Sequence, residues 1–268
     1  LAVSGALLQG LFRNPLADPG LIGVSAGASL AAIAVIVLGN TWLGGWLAIT
    51  GEWALPIAAF LGGSGTVLLA WRIANRSGQT AVATLLLAGI AINAVAGAAT
   101  GLLTFYANDE ELRSLTFWTM GSLGHAGWDD LLVGAPFMLL ALLAAPWLAR
   151  PLDAFLLGES VVGHLGYRTD TVKKAAILVV GLGVGAAVAV SGLIGFVGLV
   201  VPHLVRQLLG ASHRVVLPLS ALVGGTLLVA ADSLARVVVA PAELPIGLMM
   251  ALIGGPFFLA LLLRTKVI

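Results

Sequence analysis

The sequence predicts an all-α polytopic membrane protein, and three observations carry that prediction. The 268 residues are 60% hydrophobic and 9% charged, with a mean hydropathy of +1.09. A soluble domain carries about 25% charged residues, so there are too few charges here to cover a globule of this size. The apolar residues gather into nine stretches, most of them near the ~20 residues that cross a bilayer as helix. The basic residues between those stretches alternate in density from loop to loop.

In chain order the predicted spans are 1–12, 20–39, 54–74, 80–106, 131–149, 174–191, 195–209, 215–236 and 246–263. The first opens at Leu1, without Met, inside an apolar run. It predicts that an N-terminal portion with a whole span precedes it, since it lacks the basic flank and cleavage site of a signal peptide. The second carries Gly23-Val24-Ser25-Ala26-Gly27. That is the spacing of a nucleophile elbow, which requires a strand, a sharp turn and a helix. In a Gly/Ala/Ser-rich run opening a span it reads instead as close helix packing by small residues.

In 80–106, Asn93 and Thr100 lie seven apart and share a helix face. Polar groups inside a span bond a neighbouring helix or line a path, and both readings stay open. The following loop, 107–130, contains LRSLTFWTM, which predicts a short surface helix, and His125, a candidate first contact for substrate. Spans 131–149 and 174–191 flank a polar island, Leu152–Ala175, with Asp153, Glu159, His164, Arg168, Asp170, Lys173 and Lys174. Span 195–209 is short and contains Pro202, which predicts a broken or tilted helix. Such irregularity survives in a membrane only when buried in protein or lining a cavity. His203 and His213 read as residues of a helix break and a cytoplasmic turn. In 215–236, Asp232 and Arg236 stand four apart, a spacing that lowers the cost of burying either charge. Arg236 facing water would equally greet an acidic partner.

Alternating the loops places Arg13, Arg72, Arg76, Arg150, Arg168, Lys173, Lys174, Arg206, Arg214, Arg264 and Lys266 on one side. Only Arg113 and Arg236 fall on the other, so eleven and two account for all 13 basic residues. The richer side is cytoplasmic, and the polar island lies there. The tryptophans agree: Trp42, Trp46, Trp53, Trp71, Trp118, Trp128 and Trp147 fall near predicted span ends, where an indole keeps its ring apolar and its N–H wet.

The same residues exclude several functions. Cys is absent and the net charge is +1, which removes disulfides, thiolate metal sites and a basic field for nucleic acid. No Gly-Lys pair occurs, hence no phosphate loop; any ATP-driven work needs an ATPase on another polypeptide. No metal-binding motif and no nucleophile–base set is present. A secondary transporter would predict charges in mid-span for ion coupling, and Asp232, with Arg236 nearby, is the one acid placed inside a span.

Four segments carry a family resemblance. They are Gln9-Gly10-Leu11-Phe12-Arg13-Asn14-Pro15-Leu16-Ala17-Asp18-Pro19-Gly20-Leu21-Ile22-Gly23-Val24-Ser25; Gly195 to Arg206, GFVGLVVPHLVR; Asp232 to Arg236; and Glu243-Leu244-Pro245-Ile246-Gly247 with Gly254-Gly255-Pro256-Phe257. Together they resemble the iron-siderophore, haem and cobalamin ABC importer permeases. The resemblance implies a single permease domain over 1–268 with the ten-helix type II importer fold, the nine spans being helices two to ten. It implies a homodimer in the bacterial inner membrane, in contact with lipid, with two ATP-binding cassette subunits beneath it that hold ATP and Mg. A periplasmic binding protein delivers the chelate from outside, and the path alternates between outward-open and inward-open states. The permease holds no cofactor of its own. The island, 150–173, matches the family's coupling segment, with Glu159, Gly163, Gly166 and Arg168 facing the ATPase. Arg236 matches the arginine that meets the binding protein, and Arg113 joins it by position alone. Asn93, Thr100 and His125 are the candidates for the translocation path. Segment 112–124 resembles haem permeases more than cobalamin ones, which implies haem as the transported substrate, with ferric siderophore and cobalamin as alternatives.

Overall fold

The computed structural model describes residues 1–39, 41–75, 80–124 and 126–264, and among them there is no strand. Twelve helices follow in order: α1 Ala2–Phe12, α2 Val24–Leu38, α3 Gly44–Thr50, α4 Ala54–Ala74, α5 Val82–Tyr106, α6 Asp109–Met120, α7 Trp128–Leu156, α8 Glu159–His164, α9 Thr169–Ser191, α10 Val197–Leu209, α11 His213–Val238 and α12 Ile246–Arg264. A 3-10 turn, Pro19–Ile22, precedes α2. Each of the nine predicted spans has its helix; α3, α6 and α8 are the additional short ones. Five stretches are long and apolar enough to cross a membrane, among them α3 running on into α4, while α1, α2, α10 and the apolar part of α12 are shorter.

The bundle is built around α1. Residues Ala2 to Leu11 are all buried, as expected for a helix of small and apolar residues with no polar face. It packs against α7, α9, α10 and α11. A Cβ on Gly5 would overlap the carbonyl oxygen of Gly198, so α1 and α10 cross backbone to backbone. The α2–α4 crossing works the same way: Gly27 and Gly62 each stand against the other's carbonyl, and Thr66 Oγ1 donates to Gly23 O at 3.0 Å. The Gly23–Gly27 motif is thus a packing surface, and Gly23 itself, with φ of 88°, closes the 3-10 turn in a conformation suited to glycine.

Helix α6 confirms the short helix expected in the outer loop, and its start is written in the sequence. Asn108 Oδ1 accepts from Glu111 N at 2.9 Å and Glu111 Oε2 from Asn108 N at 3.0 Å, a reciprocal capping box.

Two expectations are corrected. Helix α7 does not stop at 149 but runs on to Leu156, although Pro136, Pro146 and Pro151 lie within it. Leu152 and Phe155, one turn apart, are both buried, so apolar packing continues the helix into what charge alone marks as a loop. The island is therefore the end of α7, then α8, then the start of α9. The second correction concerns Pro202, which sits inside a continuous α10. The break comes earlier, at Gly192 to Phe196, where Phe196 has φ of 66°. Pro202 has no N–H, so the carbonyl of Gly198 four residues back loses its helical donor. Gln9 Nε2 on α1 lies 3.4 Å from both Gly198 O and Leu199 O and takes that place. The broken segment packs against the end of α6 and the start of α12: Cβ atoms on Gly121 and Gly247 would strike Leu193 O. Irregular backbone buried in protein is the tolerated form within a membrane.

Candidate functional site

The surface that loop charge places in the cytoplasm is assembled around α8. Gly158, with φ of 118°, turns the chain from α7 into α8. Val162 is fully buried and pins α8 to the core. Gly163 and Gly166 face open space, with no atom within 4 Å of where a Cβ would stand. Arg168 is exposed just before α9. Leu157 is 69% exposed, and Leu156 and Leu165 are exposed beside it. Apolar side chains and bare backbone displayed together on a wet loop mark an interaction surface. Of the expected set, Glu159 and Gly163 lie on α8, and Gly166 and Arg168 lie on the turn that leads from it into α9.

Glu159 does more than face outward. Its carboxylate pairs with Lys173 Nζ, and Lys173, on α9, is only 3% exposed. The same ammonium donates to Thr80 O at 2.7 Å, and Asp170 Oδ1 accepts from Thr80 N at 2.9 Å.

A second polar cluster joins α7, α11, α10 and α1. Asp153, near the end of α7, caps the N-terminus of α11: its Oδ1 accepts from His213 N and His213 Nδ1, each at 2.7 Å, and its Oδ2 from Ser212 Oγ at 3.1 Å. A carboxylate suits a helix N-terminus, where unpaired N–H groups carry partial positive charge. His213 is 0% exposed and is no turn residue. Arg206 NH2 lies 3.1 Å from His213 Nε2. Guanidinium has only donors, so Nε2 carries the lone pair and Nδ1 carries the proton. Arg206 also donates to Gln9 Oε1 and, at 3.1 Å, to Ala6 O. A continuous polar chain therefore runs from α7 through α11 and α10 to α1, and ends on the carbonyl freed by Pro202.

On the other side, Arg236 Nε meets Asp232 Oδ2 at 2.8 Å and Arg236 NH1 meets Glu243 Oε1 at 3.3 Å. Its side chain remains 44% exposed. Arg113 is exposed on α6, its guanidinium 5.9 Å from the centroid of Phe117. Asn93 Nδ2 donates to Gly20 O at 3.0 Å, tying α5 to the 3-10 turn, while its Oδ1 is buried without a partner. Thr100 is half-buried two turns further along. His125 lies outside the described residues. His203, inside α10, has a buried Nε2 without a partner and stands edge-on to Phe257, 6.5 Å between centroids. Among the described residues no group of three or more His, Asp or Glu is placed to hold a metal ion.

The residues missed in the sequence are Gln9, Thr80, Asp153, Arg206 and His213, together with the exposed leucines of the island. The available signal was Pro202: a proline inside an apolar helix frees a carbonyl, and the only amide side chain in the buried α1 is Gln9.

Known proteins share this architecture. A model of the FecCD transport family matches residues 1–264. The chain is 47% identical over 266 residues to the hemin transport system permease protein HmuU of Yersinia pestis, covering 99% of this chain and 78% of that one. It is 42% identical over 267 residues to the cobalamin import system permease protein BtuC of Halobacterium salinarum, covering 100% of this chain and 69% of that one. A solved structure described as an inward-facing conformation of a metal-chelate type ABC transporter superposes with a TM-score of 0.89 at 34% identity, covering 98% of this chain and 81% of that one. With the helix order, the buried α1 and the exposed α8 already in place, these matches identify a multi-pass inner-membrane protein that belongs to the FecCD transport family.

Proposed function

We propose that the chain is the permease subunit of an ATP-driven importer that moves haem from a periplasmic binding protein across the inner membrane. Two copies form the path, and two ATP-binding cassette subunits, carrying ATP and Mg, press on α8 and its neighbours from the cytoplasm. The observation that carries the reading is the 47% identity, across 99% of the chain, to a hemin permease. The geometry of α8 supports the ATPase contact: Gly163 and Gly166 leave bare backbone beside exposed Leu157 and Leu165, in a chain without a phosphate loop. Glu159 and Arg168 frame that surface. Arg236 and Arg113 supply the exposed cations for the binding protein, and Asn93, Thr100 and His125 are the polar residues of the path.

Cobalamin is the second reading, favoured by the 42% identity to a cobalamin permease; ferric siderophore stands with it as the remaining alternative. A secondary transporter is the contrasting class. Reconstitution in liposomes with the cognate ATPase and binding protein decides among them. ATP-dependent uptake of haem, with cobalamin and ferric siderophore left outside, is the expected result. Uptake of another chelate reassigns the substrate, and uptake without the ATPase removes the importer reading.

A further inference from the structure

Lys173 occupies an unusual place. Its side chain is 3% exposed, yet its acid partner belongs to neither its own helix nor the bundle core. That partner is Glu159, the first residue of α8. Its other bond, 2.7 Å, goes to the carbonyl of Thr80, two residues ahead of α5. Asp170, one turn earlier on α9, accepts from the N–H of the same Thr80 at 2.9 Å. Thr80 is itself buried. The entry to α5 is thus gripped through both backbone groups of one residue, and the cation in that grip is neutralised from α8.

We propose that Lys173 is a positioning residue for energy coupling: it joins α8 to the N-terminus of α5, so that force on α8 moves α5. The inference rests on the reading of α8 as the ATPase-facing element. The physical reason is the cost of a lone buried charge. If α8 withdrew alone, Lys173 would keep its ammonium in the interior without its carboxylate, which is strongly unfavourable. If the entry of α5 moved alone, both backbone groups of Thr80 would lose buried partners. The low-cost displacement carries α8, Lys173 and Thr80 together. Helix α5 bears Asn93 and Thr100, so the motion arrives on the helix proposed to line the path.

The chain has no Cys, which permits a direct test in the assembled transporter. Spin labels at Ser160→Cys on α8 and Ala83→Cys on α5, both exposed positions, report the α8–α5 distance with and without nucleotide. The expected distance within a protomer stays constant in the wild-type background while each label moves relative to the rest of the bundle. In Lys173→Met it changes with nucleotide, and substrate taken up per ATP hydrolysed falls about tenfold, the equivalent of one charge-assisted bond. Lys173→Arg, which keeps both bonds, restores most of that ratio. A wild-type distance that changes with nucleotide overturns the proposal without any variant at Lys173, as does a Lys173→Met transporter with the wild-type ratio. Failure of the wild-type chain to take up substrate in response to ATP would instead overturn the reading of α8 itself.

Discussion

The two ends of the bundle use the same kinds of charged residue in opposite ways. On the cytoplasmic side, Lys173, Arg206 and His213 lie in long-range bonds: Lys173 reaches Thr80, 93 residues away, and Arg206 reaches Gln9, 197 residues away. On the outer side, Arg236 reaches only four and seven residues along its own chain, to Asp232 and Glu243, and keeps 44% of its side chain in solvent. Buried long-range pairs fasten helices to one another, because breaking one leaves an uncompensated charge. Exposed local pairs fasten little, and they leave a cation free to exchange partners. The contrast fits the proposed roles, in which the α8 end receives force from the ATPase and the Arg236 end meets the binding protein.

Four substitutions sharpen that contrast. The largest effect is expected from Gly5→Val, which drives a side chain into the backbone of Gly198 where α1 crosses α10. A loss of about 3 kcal/mol or more should show as a lower melting temperature in detergent, and an unchanged one would mean that the crossing is loose. Next is Arg206→Met, which abandons Gln9 Oε1, Ala6 O and His213 Nε2 at about 2 kcal/mol; the same melting measurement checks it. Third, Arg236→Glu places a third acid beside Asp232 and Glu243. Binding-protein affinity should fall about tenfold with the melting temperature held, and a reversed charge on the partner should restore part of it. Equal affinity would break the contrast at its outer end. The smallest structural effect is Gly163→Ala, whose new methyl meets nothing and alters stability by less than about 1 kcal/mol. ATP hydrolysis should nonetheless lose its link to uptake, because the proposed ATPase contact places a partner surface where the methyl projects. Normal uptake per ATP would remove Gly163 from that contact.

Hydropathy made the nine predicted apolar helices legible, since a run of apolar residues is a local property of the chain. The capping box of α6 was equally local. The end of α7 was misjudged because Arg150 and Asp153 signal water while Leu152 and Phe155, one turn apart, signal core. Pro202 was misjudged because its rescue comes from Gln9 on α1. His213 looked like a turn residue because its carboxylate partner, Asp153, lies 60 residues earlier in the chain. For Pro202 and His213 the deciding partners, Gln9 and Asp153, are remote in sequence, and no window of twenty residues contains them.

The distance in sequence from Gln9 to its partners sets a timetable for biogenesis. Gln9 bonds Leu199, 190 residues later. At the ~5–20 residues per second of synthesis, about 10–40 s pass before that partner exists. During that interval the amide of Gln9, and the small-residue face around Gly5, must be held by lipid, by water or by the insertion machinery. Helix α1 therefore waits for α10, and the buried amide of Gln9 finds its partners only after about 190 further residues have been made.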